Sequence, residues 1–226
     1  MPQTQPSAPG PTPVPVAILL PNPAEWRSSP ATQLPDWHGV QARDLAGLIT
    51  GYTRRGDVVI TLDDHPTVSH AAHHLGRHVA VLTPDHRLDR AHTAAYTRRL
   101  IRRVGAGLIL VSLPDAQTTQ LHAIAETIRR WRRLLRPDGH LLAAVTGRPT
   151  DHDPASQRSQ IITAARSAGL IWRQEFLVLL TPLPEHEPRA MPDTAALTPP
   201  ALLNGRHLPA HIKLLAFTTQ TGDANA

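Results

Sequence analysis

"RRWRRLLRPDGHLLAAVTG", residues 129–147, joins a helical pattern to a strand through a single turn, and that junction decides the fold class. Leu121, Ile124, Ile128, Trp131 and Leu135 recur at alternating steps of three and four, so the spacing predicts a helix over about 117–135 with those residues inward. Pro137, Asp138 and Gly139 supply the chemistry that stops a helix and turns the chain. Leu141–Thr146 then reads as a buried strand.

The same alternation extends in both directions. Upstream, Leu45, Leu48, Ile49 and Tyr52 predict a helix ending near Thr53, and Gly56-Asp57 turns into the strand Val58–Leu62. A helix over about 66–75 carries Val68, Ala71, Ala72 and Leu75 on one side, followed by a strand at Val79–Leu82. A helix over 89–104, with Tyr96, Leu100 and Val104 inward, leads to Gly107–Leu113, the strongest strand pattern in the chain. Downstream lie a helix over 154–168, a strand at Phe176–Leu180, a proline-rich stretch and a last strand at His211–Thr218. Residues 16–20 read as a short strand.

Strands alternating with helices imply an α/β fold, a three-layer Rossmann-like sandwich with a mostly parallel sheet. Val58–Leu62 and Gly107–Leu113 are expected to be neighbouring parallel strands. The last two strands are linked by a loop and not a helix, which suits an antiparallel last strand. The expected organisation is a disordered Pro-rich tail at 1–15, an extended connection at 16–39, one domain at 40–218 with a Pro-rich insertion at 182–208, and a tail at 219–226.

Composition narrows the chemistry. The chain of 226 residues has no cysteine, which removes disulfides, thiolate catalysis and cysteine zinc sites. Val16–Leu20 has no basic residue before it and no small-residue cleavage site after it, and no apolar stretch is long enough for a bilayer. A cytoplasmic protein without membrane contact is the expectation. The net charge of +5 is carried almost wholly by arginine, with Lys213 the only lysine. That balance permits nucleic-acid binding without requiring it.

Several segments together resemble the class I S-adenosylmethionine-dependent methyltransferases, in particular the amino-group DNA methyltransferases. "ARDLAGLITGYTRRGDVVITL" is similar to that family's helix and first strand, and "AAHHLGRHVAVL" to the next helix end and strand. "GLILVSLP" resembles the strand that ends in the catalytic Asp/Asn/Ser-Pro-Pro-aromatic motif. "RRWRRLLRPDGHLLAAVTG" resembles the helix, turn and fifth strand, and "SAGLIWRQEFLVLL" and "HLPAHIKLLAF" the closing strands. The resemblance covers roughly residues 40–218.

It implies S-adenosylmethionine as cofactor, with Thr61, Asp63, Asp64, His65, Thr67 and Asp85 around it. Ser112 and Pro114 would position a substrate amine, and Asp115 falls where the family stacks an aromatic ring on a flipped base. Three positions depart from the family. The loop after the first strand, Asp63-Asp64-His65-Pro66-Thr67-Val68, holds no glycine, although glycine lets backbone approach the cofactor there. The second strand ends in Leu82 where an acid normally accepts the ribose hydroxyls, and Asp85 comes late. Asp115 offers a charge where a ring is needed. The resemblance thus leaves two classes open: a methyltransferase-like module with lost chemistry and a binding or regulatory role, or an active methyltransferase on nucleic acid or a small amine.

Other patterns have simpler readings. His70 and His74 stand four apart on a helix, the spacing of a shared metal, but no third ligand motif completes a set, and no metal is expected. Asp63 or Asp64 reads as an N-cap for the following helix. Ser112 has no evident base. The arginines at 98, 99, 102 and 103 and at 129, 130, 132, 133 and 136 lie opposite apolar stripes, either as solvated helix faces or as phosphate contacts to a nucleic acid. Oligomeric state is not encoded in any of these patterns.

Overall fold

A computed structural model describes residues 13–20, 36–62, 64–113, 121–145, 154–180, 202–203, 206–207 and 211–219. The tail expected at 1–15 lies outside these residues up to position 12, as do most of 182–208 and all of 220–226. Five helices are described: α1 (Ala42–Tyr52), α2 (Pro66–His74), α3 (Ala95–Val104), α4 (Leu121–Arg132) and α5 (Pro154–Ser167). The strands are β1 (Val16–Leu19), β2 (Val58–Thr61), β3 (His78–Val81), β4 (Ala106–Leu113), β5 (Leu135–Val145), β6 (Leu170–Leu179), β7 (Leu202–Leu203), β8 (Arg206–His207) and β9 (His211–Thr219).

Seven of these strands form one sheet in the order β1-β6-β9-β5-β4-β2-β3, and β7 and β8 pair only with each other. β2 pairs parallel with both β3 and β4, in the arrangement expected for Val58–Leu62 and Gly107–Leu113. Only β9 runs against its neighbours, antiparallel to β5 and β6. The fold is a Rossmann-like α/β sandwich. β1 pairs parallel with β6, so the sheet begins at Val16.

Side-chain alternation explains why the central strands read as unbroken apolar runs. In β4, Ile109, Val111 and Leu113 join the core under α3, α4 and α5, whereas Leu108 and Leu110 join the core under α1 and α2. β5 and β9 divide in the same way: Leu141, Ala143, Leu215 and Phe217 face one layer, and Leu142, Ala144, Leu214 and Ala216 the other. A strand buried on both faces has no polar side to show.

The opening junction is built differently from its sequence reading. α4 ends at Arg132, and Leu135 is already a strand residue paired with Ala106. Pro137-Asp138-Gly139 therefore forms an irregularity within β5, where the register jumps between Ala106 and Leu108 and Asp138 takes φ 62°. Leu121 is exposed in the first turn of α4, not inward. The helix expected from residue 89 starts only at Ala95, and Tyr96 and Val104 are exposed. The reason is local. Asp89 accepts backbone N–H bonds from Ala91 and His92, and the Thr93 hydroxyl accepts from Val81 N at 3.0 Å, so 89–93 seals the free edge of β3.

Candidate functional site

β2 connects through α2 to β3 on one side, while β4, on the other side of β2, connects through α4 to β5 further away. The carboxyl ends of β2 and β4 therefore diverge at a switch point, and in an open α/β sheet that is where a ligand crevice forms. Thr61 closes β2 and is fully buried; Ser112 lies one residue from the end of β4 and is half-buried. By the two-residue period, both face the α1/α2 layer, alongside Val59, Leu108 and Leu110. Among the described residues, Ser112 has no hydrogen-bonded base.

The chain leaves β2 through Asp64 and His65 into α2. Pro66 occupies the first helical turn, which puts His65 at the N-cap without a side-chain cap bond. The cap expected from Asp64 is not made. Its carboxylate instead accepts the Ser69 hydroxyl at 3.3 Å. Asp63 lies outside the described residues. Thr67 and Val68 point into the protein at 1% and 0% exposure, where Val68 belongs to the α1/α2 core.

A second element reaches this place. Trp37-His38-Gly39-Val40 is a two-residue hairpin with both cross-bonds formed, Trp37 N to Val40 O at 3.0 Å and Val40 N to Trp37 O at 2.9 Å. His38 and Gly39 take φ 49° and 82° as such a turn demands. Trp37 is fully buried in the core that holds Val68, Leu110 and Ala144, and the His38 ring sits 6.4 Å from the His65 ring. Trp37 Nε1 and His65 Nδ1 are buried without a hydrogen-bond partner among the described residues. Burial holds the carboxyl of the neighbouring Asp36 above the usual range. The sequence reading missed this hairpin. Its signal was the His-Gly pair after a tryptophan within a proline-punctuated connection.

Asp85 stands apart. Leu82 bridges Leu88 in antiparallel fashion, so the chain after β3 turns back on itself. At the tip, the exposed Asp85 carboxylate accepts the Thr83 hydroxyl and pairs with Arg87 at 3.3 Å. Next to it, His86 lies edge-on to Trp131 of α4, with ring centroids 5.4 Å apart. At the base of the loop, His92 bonds Asp89 at 2.7 Å, which holds its imidazole above the usual histidine range. Pro114 and Asp115 lie outside the described residues. The structure thus gathers Thr61, Asp64, His65 and Thr67 at one corner, sets Ser112 on the adjacent strand, and engages Asp85 within its own loop.

The His70 and His74 rings are stacked 6.4 Å apart on α2, and no group of three metal-ligating side chains occurs among the described residues. No described helix is long and apolar enough to cross a membrane.

The described residues depart at three positions from the set that S-adenosylmethionine binding implies. Backbone approach at the end of β2 requires a compact loop, yet Thr67 and Val68 fill the start of α2 and Pro66 contributes no N–H. A ribose diol requires an acceptor at the end of β3, yet Leu82 is 1% exposed and belongs to the apolar core. Asp85, the replacement carboxylate, is exposed and engages Thr83 and Arg87 of its own loop.

No protein-family model matches the chain, and no curated protein matches it in sequence. Among solved structures, it is similar to a TehB-like S-adenosylmethionine-dependent methyltransferase from Corynebacterium glutamicum. That match has 14% identity and a TM-score of 0.47, over 87% of this chain and 95% of the other. The N-methyltransferase NodS from Bradyrhizobium japonicum matches at 13% identity and TM-score 0.42, over 79% and 94%. A Burkholderia thailandensis 1,6-didemethyltoxoflavin-N1-methyltransferase, with bound S-adenosylhomocysteine, matches at 12% and 0.45, over 79% and 78%. All three are methyltransferases. Likenesses this distant say nothing of activity in this chain, and the fold rests on its own strand order and pairing.

One titration reports on the packing at the opposite, amino edge of the sheet. Burial, and then Arg136, hold His140 below the usual histidine range, where its ring lies 4.9 Å from that of Tyr52. As pH falls below about 6.5, the unfolded chain takes up this proton and the folded chain resists it, so stability falls with pH. His86 is lowered by burial and acts in the same direction; the exposed His92, raised by Asp89, opposes it. Urea unfolding is expected to show a lower midpoint at pH 5.5 than at pH 7.5, and His140→Gln should flatten that difference. An unchanged difference in the variant would remove His140 as its source.

Proposed function

We propose that this chain is a methyltransferase-like module, related to the amino-group DNA methyltransferases, that has kept the sheet and lost S-adenosylmethionine chemistry. It acts by binding. The observation that carries this reading is Leu82: where a ribose needs a carboxylate, the chain places a buried leucine bridged to Leu88. The filled start of α2 supports it independently, because Thr67 and Val68 are packed inward and Trp37 lies in the same core.

Amide hydrogen exchange with and without millimolar S-adenosylhomocysteine tests the reading. Residues 61–68 and 81–93 are expected to exchange at the same rates in both conditions. Ligand-dependent protection of either segment would identify a working cofactor site and overturn the proposal.

A further inference from the structure

α3, α4 and α5 all end at the amino edge of the parallel strands, opposite the crevice. α3 stops at Gly105, where an added Cβ would lie 2.5 Å from Arg136 N, so its end abuts the start of β5. Between the ends of α4 and α5 is a groove of about 550 Å³, lined by Arg129, Arg132, Arg133, Arg136, Ser167 and Gly169 among others. Among the described residues its lining includes no aromatic ring and no carboxylate.

Two acids reach these arginines from outside the groove. Glu126 pairs with Arg129 at 3.1 Å and Arg130 at 3.8 Å, and Asp57 pairs with Arg136 at 2.9 Å. Arg136 Nε remains buried without a partner among the described residues. Arg132 and Arg133 are exposed and have no acidic partner among the described residues. The same holds for Arg102 and Arg103 in the last turn of α3 and Arg166 in the last turn of α5. Arg132 is also placed: its guanidinium lies against Gly169, where an added Cβ would stand 2.8 Å from Nη1.

Cations in a last helical turn are favoured by the helix dipole at about 0.3–1 kcal/mol each. That accounts for arginine on any one helix end. It does not account for a groove between the ends of α4 and α5 whose described lining carries four arginines and no acid, with Arg132 and Arg133 left without an acidic partner among the described residues.

We propose that this amino-edge groove binds the phosphodiester backbone of a nucleic acid. The guanidinium fork suits phosphate oxygens. The two helix ends that line the groove stand about 8–10 Å apart, a span of about three nucleotides at 3.4 Å each. With no ring in the groove to stack on bases, recognition is of backbone and not of sequence. The inference does not depend on the loss of cofactor chemistry, since the groove lies at the other end of the sheet and binding is measured without cofactor.

The test is fluorescence anisotropy of the full chain with labelled duplex DNA, single-stranded DNA and duplex RNA, from 50 to 200 mM salt. The comparison is wild type against Arg132→Glu/Arg133→Glu and the control Arg43→Glu/Arg90→Glu, with folding checked by circular dichroism. Wild type is expected to bind at least one oligonucleotide with affinity that falls as salt rises. The groove variant should bind at least tenfold more weakly, with a salt slope smaller by about two, and the control should stay within twofold of wild type. Absence of wild-type binding at 50 mM salt, or equal loss in both variants, would overturn the proposal. So would binding to inorganic pyrophosphate or to phosphatidylserine vesicles without binding to any oligonucleotide.

Discussion

Trp37→Ala is expected to destabilise the folded chain by about 3–5 kcal/mol, the usual cost of emptying a buried tryptophan site. Trp37 is fully buried between the start of α2 and the strand residues Leu110 and Ala144, and it anchors the hairpin that carries His38 toward His65. Its indole N–H has no partner among the described residues, so Trp37→Phe removes volume without breaking a described hydrogen bond and should cost distinctly less. Urea unfolding of both variants checks this. A loss below about 1 kcal/mol in Trp37→Ala would mean that Trp37 is not a packed part of this core.

A comparably large effect is expected from a single methyl group at Gly105. This residue ends α3 at φ 89°, and an added Cβ would lie 2.5 Å from Arg136 N, 2.8 Å from Arg136 Cα and 2.9 Å from Leu135 C. All three are backbone atoms, so no side chain can swing away. Gly105→Ala should therefore cost roughly 2–6 kcal/mol, combining a strained dihedral with overpacking of about 1–3 kcal/mol each. Gly47→Ala is the matched control, because it lies within α1 with nothing within 4 Å of the added Cβ. It should gain about 0.5–1 kcal/mol from better helix propensity. If both variants unfolded at the wild-type urea midpoint, the packing of α3 against the start of β5 would be refuted.

The central sheet was legible in the sequence because β2, β4 and β5 are buried on both faces and so appear as short apolar runs between helical periodicities. What escaped was set by contacts distant in sequence. Nothing local tells Val16–Leu19 to pair with Glu175–Val178. Tyr96 and Leu121 fit an inward helical period yet are exposed, because each lies in the first turn of its helix. The start of α3 was misplaced because Asp89 and Thr93 spend their side chains on loop and strand backbone before the helix begins. At the crevice, the missing glycines and Leu82 could be read directly from residue types. The indole that shares a core with Val68 could not, because Trp37 comes from a segment whose position depends on a turn closing against Leu180 and Ile212.

The proposal that this chain does not take S-adenosylmethionine is tested most directly by calorimetric titration of the folded chain with S-adenosylmethionine and, separately, S-adenosylhomocysteine. The filled loop after β2 and the buried Leu82 at the end of β3 require that neither ligand bind up to millimolar concentration. Saturable binding of either at micromolar concentration would contradict the account.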